Sequence, residues 1–306
     1  MSLELSRPVK SFLNKFLGPG YQYTPIAEGA NALGYKIEKN RHEFFLKVYK
    51  EGRDIERYRR EVFFYKTFGE AFIEEISTFY ASSDHAICLL LGFFKGMPIR
   101  TTSKEYVADA VKFFEKLEIK NVGGKIPLAS EPAFTLSDFY DIVQRRIETK
   151  NLFHNDVLNC VNRVSNALSE ISISGYSLPI VNIYSPSDFG AHNVLYNGDK
   201  YHFIDFEHAG IDSYWKFLCD FFAQPDYPVD ISMLHIFRNS STWHEYELDK
   251  DALILAYRMT LLKWVLLILA TGIKLNRDPG SYVAKADQYF DRIDFKVDYF
   301  YSKLLE

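Results

Sequence analysis

The sequence is short of cysteine, of net charge and of long apolar runs, and each shortage excludes something. Its three cysteines, Cys88, Cys160 and Cys219, stand far apart and form no C-x-x-C pair. That excludes a disulfide framework and the usual zinc spacing, and it fits a reducing cytosol. The net charge of −4 offers no basic surface, so no nucleic-acid partner is expected. The most apolar run, Trp264 to Ile273, is bracketed by Lys263 and Lys274. It is roughly half the length that a membrane span needs, and it reads as a buried helix. Met1-Ser2-Leu3-Glu4 carries no apolar signal segment, so a cytoplasmic protein without a membrane partner is expected. The chain also has no internal repeat and no low-complexity tract.

What is present is ordinary in bulk and unusual in one respect. Hydrophobic residues make up 47% and charged residues 25%, the balance of a globular protein with a sizeable core. The length of 306 residues suits one or two domains. Aromatics reach 16%, which points to thick aromatic packing before it points to aromatic-lined pockets.

The stretch with chemistry in it runs Ser187-Asp188-Phe189-Gly190-Ala191-His192-Asn193, followed by Phe203-Ile204-Asp205-Phe206-Glu207. Asp188 and Asn193 stand five apart, the interval of the D-x-x-x-x-N loop of kinases. Asp205 comes twelve residues after Asn193. Between them lie the apolar pair Val194-Leu195, the turn Asn197-Gly198-Asp199 and the apolar pair Phe203-Ile204. Asn-Gly between apolar runs predicts a hairpin, and the hairpin returns Asp205 beside the loop. Phosphoryl transfer needs such a set. Magnesium takes hard oxygen ligands, usually one or two of them from protein carboxylates. Asn193 and Asp205 are the candidate Mg²⁺ ligands, and Asp188 is the catalytic candidate, accepting a hydrogen bond from the substrate hydroxyl. Either acid alone would be a common surface turn residue; the joint spacing carries the reading.

Upstream, Phe12, Leu13, Phe16 and Leu17 predict a short amphipathic helix within residues 5–20, stopped by Gly18-Pro19-Gly20. A strand, a glycine-containing turn and a second strand follow over Tyr23 to Glu38. Gly29 and Gly34 would let backbone approach phosphate, although an ordinary hairpin turn explains them as well. Lys47 sits inside the apolar strand Glu43 to Tyr49, where an ammonium needs a partner. Glu61, fourteen residues later in a helix expected from Asp54 to Phe68, is the candidate. A strand lysine meeting a helix glutamate is the arrangement that holds nucleotide phosphates in kinases. The buried strand Ile87 to Leu91 then runs into Gly92–Pro98, the expected domain boundary and adenine pocket.

From Ser103 onward the pattern is helical, with helices expected over 137–149, 156–173, 229–241, 250–273 and 281–304 and a strand over 179–184. His154-Asn155-Asp156 imitates a catalytic H-x-D, but position 161 is Val161 and a helical stripe follows, so Asp156 reads as a helix N-cap or first-turn acid. Asp220, within an apolar helix, is expected to bond backbone amides of the Asp188 loop. Glu207 and Asp212 are expected near an acceptor, with Tyr214, Trp215 and Trp264 as an aromatic wall or, more often for such residues, as core packing.

Over most of its length the chain resembles the aminoglycoside phosphotransferase and choline kinase superfamily. The resemblance rests on Glu28-Gly29-Ala30-Asn31, Lys47, Glu61, Leu89-Leu90-Leu91 to Gly96, Asp188 to Asn193, and Ile204-Asp205-Phe206-Glu207. It implies an α+β, bilobal, protein-kinase-like fold, with a small β-rich N-lobe (1–94) and a larger, mainly helical C-lobe (95–306). It also implies ATP with Mg²⁺, and transfer of the γ-phosphoryl group to a hydroxyl of a small molecule such as an aminoglycoside, a sugar derivative or an amino alcohol. The implied ATP-binding residues are Lys47, Glu61, Gly29, Asn31, Leu91 and Phe93. Members commonly carry a histidine two before the catalytic Asp, where this chain has Pro186. A catalytically weak, nucleotide-binding pseudokinase is the alternative that this departure favours, and a protein kinase is a remote third. The intact Lys, Glu, Asp, Asn, Asp set favours the enzyme.

Overall fold

The computed structural model describes residues 4–28, 31–50, 55–72, 74–117, 125–149, 155–240, 243 and 248–306. The chain divides into two units, Met1–Ile99 with Asn193–Ala209, and Arg100–His192 with Gly210–Glu306.

The first unit is built on five antiparallel strands: β1 (Gln22–Glu28), β2 (Ala32–Lys39), β3 (His42–Tyr49), β4 (Phe79–Ser83) and β5 (Cys88–Gly92), in the order β1-β2-β3-β5-β4. Alternation along β3 decides what each face does. Phe44 and Leu46 join Tyr35, Ile37, Cys88 and Leu90 in a core covered by Val9 and Leu13 of helix α1 (Arg7–Leu17). Phe45 and Lys47 therefore face the opposite side, into a cavity. Helix α1 starts with a proline in its first turn and stops at Gly18, whose φ of +74° an L side chain would resist. Helix α2 (Ile55–Phe68) buries Tyr58, Glu61, Val62, Phe64, Tyr65 and Phe68, so Glu61 lies on the inward face of a stripe that is mainly aromatic.

A short strand β6 (Met97–Pro98) pairs with β8 (Val194–Tyr196), which pairs with β9 (Tyr201–Phe203). The β8–β9 turn is closed by Asn197, whose Oδ1 accepts the N–H groups of Asp199 (3.0 Å) and Lys200 (2.9 Å), with Gly198 at φ +97°. This hairpin belongs to the first unit: Phe203 N–H donates to Glu75 O at 2.8 Å, and Ile99 N–H to Val194 O at 3.2 Å. A single cut after residue 94 therefore does not describe the chain, because strand pairing carries 193–209 back to the N-terminal sheet region.

The second unit is mainly helical: α3 (Lys104–Glu115), α4 (Leu136–Glu148), α5 (Asn155–Ser169), α6 (Tyr214–Ala223), α7 (Leu234–Arg238), α8 (Lys250–Lys274), α9 (Pro279–Phe290) and α10 (Ile293–Leu305). One two-stranded ribbon joins β7 (Asn182–Ser185) to β10 (Gly210–Ser213). Helix α8 is long and apolar enough to cross a membrane by length and composition, yet 72% of its most apolar window is buried inside the fold. It packs against α4, α6, α9 and α10. Four expected elements come out shorter or divided. The strand at 179–184 begins only at Asn182, because its partner β10 is four residues long and Ser213 turns into the N-cap of α6. The helix expected to reach 173 stops at Ser169. The 229–241 segment is a 3₁₀ turn at Ile231–Met233, capped by Asp230, followed by α7. The last helix breaks at Asp291–Arg292, where the Arg292 N–H takes the tighter bond to Tyr289 O.

Candidate active site

Lys47 is 8% exposed, and its Nζ lies 2.8 Å from Glu61 and 2.6 Å from Asp205, with Glu207 at 3.5 Å. Burial pushes this ammonium down, but the charges of Asp205 and Glu61, then Tyr49 and Glu207, outweigh it and hold the pKa well above the ordinary lysine value. Lys47 is therefore a fixed cation in a dry place. Glu61 is itself anchored: it accepts from Tyr49 Oη and, through its other oxygen, from Phe206 N–H at 3.2 Å. Burial raises its carboxyl despite Lys47. Phe206 stacks on Phe64 of α2 at 3.7 Å between centroids, which holds the Asp205-Phe206-Glu207 stretch against the helix.

Asp205 has φ +67°, a left-handed backbone that a non-glycine residue adopts at a cost. Register explains how it arrives there. Val194 faces Phe203 in the hairpin, and Ile204 N–H donates to Asn193 O at 3.0 Å, so Asn193 and Asp205 leave the same end of the ribbon. The two supply a carboxylate and an amide, hard oxygen donors suited to Mg²⁺ in the small number that this ion takes from protein. Among the described residues no group of three His, Cys, Asp or Glu side chains forms a site able to hold a metal alone.

Glu207 is 4% exposed and gathers the surrounding elements. It accepts from Asn31 Nδ2 at 2.7 Å and Arg57 at 3.0 Å, with His208 at 3.4 Å. Burial pushes its carboxyl up, but His208, Lys47 and Arg57 together bring it down to about 2. Glu207 borders a cavity of about 480 Å³, lined among others by Asn31, Gly34, Lys47, Leu91, Phe93 and Asp205, all within the first unit. Its floor is aromatic. Phe94 stacks on the buried His202 ring at 3.9 Å and 4°, and His202 Nε2 lies 3.0 Å from Ser77 Oγ. Burial lowers the His202 pKa to about 4, so the ring under Phe94 is neutral.

The structure thus brings Lys47, Glu61 and Asp205 into direct contact and puts Asn31, Leu91 and Phe93 on the same cavity. Gly29 lies outside the described residues. Asp188 belongs to the second unit, where His192 Nε2 is 3.3 Å from Oδ2 and Gln224 Nε2 is 3.5 Å from Oδ1. Asp156 lies in the first turn of α5, as a helical acid would. Two expectations fail. Asp220 bonds Lys216 (3.0 Å), Lys263 and Trp264 (3.1 Å) in place of loop amides. Asp212 is fully buried; it accepts from the N–H groups of Ala133 and Ser213 and from Lys216, so it has no face for an acceptor. Tyr214 and Trp215 are 0% exposed and pack the core, the commoner of the two roles expected for them. Sequence reasoning passed over Tyr49 and Arg57. Tyr49 was findable, since it shares the face of Lys47 two residues along the strand. Arg57 lay in a charged run that reads as a solvated helix face.

No family model matches the sequence, and no curated protein matches it significantly. Solved structures do match in fold. A choline kinase from Cryptosporidium parvum shares 14% identity over 98% of this chain and 99% of its own, with a TM-score of 0.64. The choline kinase LicA from Streptococcus pneumoniae shares 10% over 95% and 98%, with a TM-score of 0.64. The spectinomycin phosphotransferase APH(9)-Ia, solved with ADP and spectinomycin, shares 14% over 99% of both chains, with a TM-score of 0.60. The chain has the kinase-like fold of the choline kinases and aminoglycoside phosphotransferases.

Proposed function

We propose that the protein is an ATP-dependent phosphotransferase that moves a γ-phosphoryl group to a hydroxyl of a small molecule, of the class of aminoglycosides, sugar derivatives and amino alcohols. The observation that carries the reading is Lys47: a buried ammonium held between Glu61 and Asp205 on the wall of a cavity of about 480 Å³. A buried Lys47–Glu61 pair is a poor device for stability alone, since apolar residues would do as well. It is a good device for presenting a fixed cation to phosphate oxygens.

In this reading Lys47 binds the phosphates and Glu61 fixes its position through the Tyr49, Phe206 and Lys47 bonds. Leu91, Phe93 and Phe94 form the apolar slot for the base. Asn193 and Asp205 would hold Mg²⁺, which when bound neutralises charge on the phosphate oxygens. Asp188 accepts a hydrogen bond from the acceptor hydroxyl and orients it. Lys47 bonds Asp205 at Oδ1, 2.6 Å away, so Oδ2 is the oxygen that would face a metal.

The test is thermal shift with ATP, with and without Mg²⁺, followed by transfer of labelled γ-phosphate to a panel of choline, ethanolamine, aminoglycosides and sugars. Metal-dependent stabilisation together with a labelled product supports the enzyme. Stabilisation with no product over the panel, and no slow ATP hydrolysis, would favour the nucleotide-binding scaffold. No response to ATP in either condition overturns the reading.

A further inference from the structure

Asp188 is gripped at both carboxylate oxygens by side chains that no part of the reading above uses. His192 Nε2 lies 3.3 Å from Oδ2, and Gln224 Nε2 lies 3.5 Å from Oδ1. A carboxylate only accepts, so both nitrogens are donors and the His192 proton is on Nε2. The space for this grip comes from Gly190. A Cβ at residue 190 would sit 2.6 Å from His192 Nδ1 and 2.9 Å from Gln224 Cδ, closer than carbon tolerates. Gln224 is anchored as well: it is 3% exposed and follows directly on α6, whose ten residues are all buried.

The backbone around Asp188 is fixed independently. Ser185 Oγ, fully buried, accepts from Ser187 N–H at 2.9 Å, and Ser187 has φ +64°. The Phe189 ring stacks on Phe113 at 5.5 Å and 13°. Pro186 has neither an N–H nor a polar side chain to offer. The loop backbone is thus held through Ser185 and Phe189, while His192 and Gln224 each meet one oxygen of the Asp188 carboxylate.

We propose that His192 and Gln224 are positioning residues that aim the Asp188 carboxylate at the acceptor hydroxyl, with Gly190 providing the room for both. The proposal rests on the assignment of Asp188 as the group that orients the acceptor. A carboxylate with a donor at each oxygen is restrained in its rotation, and an aimed lone pair is what hydrogen-bonding a reacting hydroxyl demands. The two bonds are long in the free protein, and such bonds tighten when substrate is bound. Neither donor lines the cavity that holds Lys47, so their effect falls on turnover and not on nucleotide affinity.

The experiment is hydrolysis of Mg·ATP, with water as the acceptor probe. His192→Ala and Gln224→Ala are each expected to lower kcat by about ten- to a hundredfold, with KM for ATP changed by less than about twofold. His192→Gln returns an N–H donor and is expected to recover most of the loss. Wild-type kcat in both alanine variants, with Asp188→Ala inactive, overturns the positioning roles and leaves the Asp188 assignment standing. Wild-type turnover in Asp188→Ala overturns both. A loss in His192→Ala that glutamine does not recover, accompanied by a lowered melting temperature, marks His192 as structural and also overturns the proposal. A readout independent of turnover is the ring ¹⁵N spectrum: Asp188→Ala is expected to shift the His192 Nε2 resonance, and an unmoved resonance refutes the contact.

Discussion

Glu61 is the residue on which most of the first unit's polar order converges, since it accepts from Lys47, Tyr49 and Phe206 while 1% exposed. Removing Glu61 leaves the buried Lys47 with a half-exposed Asp205 and the more distant Glu207, and takes away the acceptor of Tyr49 Oη. Glu61→Ala is therefore expected to cost about 3–5 kcal/mol in denaturant unfolding and to abolish stabilisation by Mg·ATP. Asp205→Ala should behave differently. Lys47 keeps Glu61, so folding is less affected, but the difference in melting temperature between ATP alone and Mg·ATP should vanish. At this scale the sequence was informative because the chemistry is carried by residue types at fixed intervals: fourteen residues from Lys47 to Glu61, five from Asp188 to Asn193. It was silent on Gln224, thirty-six residues from Asp188, and on Arg57, which reaches Glu207 across 150 residues.

Helices α6 and α8 are joined by a buried charge cluster in which one carboxylate, Asp220, serves Lys216 and Lys263. Burial pushes Asp220 up, but Lys263 and then Lys216 bring its carboxyl down to about 2 from an ordinary 3.8. Lys263 is held below the ordinary lysine value by its own burial and by Lys216, with Asp220 pulling the other way. A depressed acid is protonated later in the fold than in the unfolded chain. Its contribution to stability is thus complete above about pH 4 and is lost as pH falls toward 2. In urea unfolding across that range, Asp220→Asn should show a shallower loss of stability than the wild type. Near neutral pH, Asp220→Ala should cost about 3–5 kcal/mol, and Lys263→Met, which leaves Asp220 paired with Lys216, clearly less. The β8–β9 hairpin is tested at the same scale. Gly198 at φ +97° sits in a region that an L side chain resists, so Gly198→Val should cost about 1–2 kcal/mol and weaken the metal-dependent response by disturbing the register of Asn193 with Asp205. The hairpin was legible from Asn197-Gly198 between apolar runs. Lys216 stands four residues from Asp220 on the same helix, a readable interval, but Lys263 was not legible, because it depends on which face of α8 meets α6.

Every residue lining the Lys47 cavity belongs to the first unit, whereas Asp188 belongs to the second. Asp188→Asn should therefore abolish turnover while leaving the melting-temperature rise with Mg·ATP within about 1 °C of the wild-type value, the ordinary scatter of a change that touches no binding residue. A large loss of nucleotide response in that variant would contradict the separation of roles. The division of the chain is also a property of the whole molecule. The 193–209 segment follows the helical region in sequence but pairs with β6 and with Glu75 of the first unit, so no linear reading of lobes recovers it.

By itself the sequence determined the alternation that sends Lys47 and Phe45 to one face of β3 and Leu46 to the other, the hairpin between Asn193 and Asp205, and the apolar helix bracketed by lysines. Each follows from a local period or a turn residue, and local physics acts between neighbours in the chain. Only the tertiary structure decided that Glu207 holds Asn31 and Arg57, that Asp220 takes Lys263 from another helix, and that Gln224 reaches Asp188. Those outcomes are set by burial, which assigns partners by proximity in space and leaves no spacing to read.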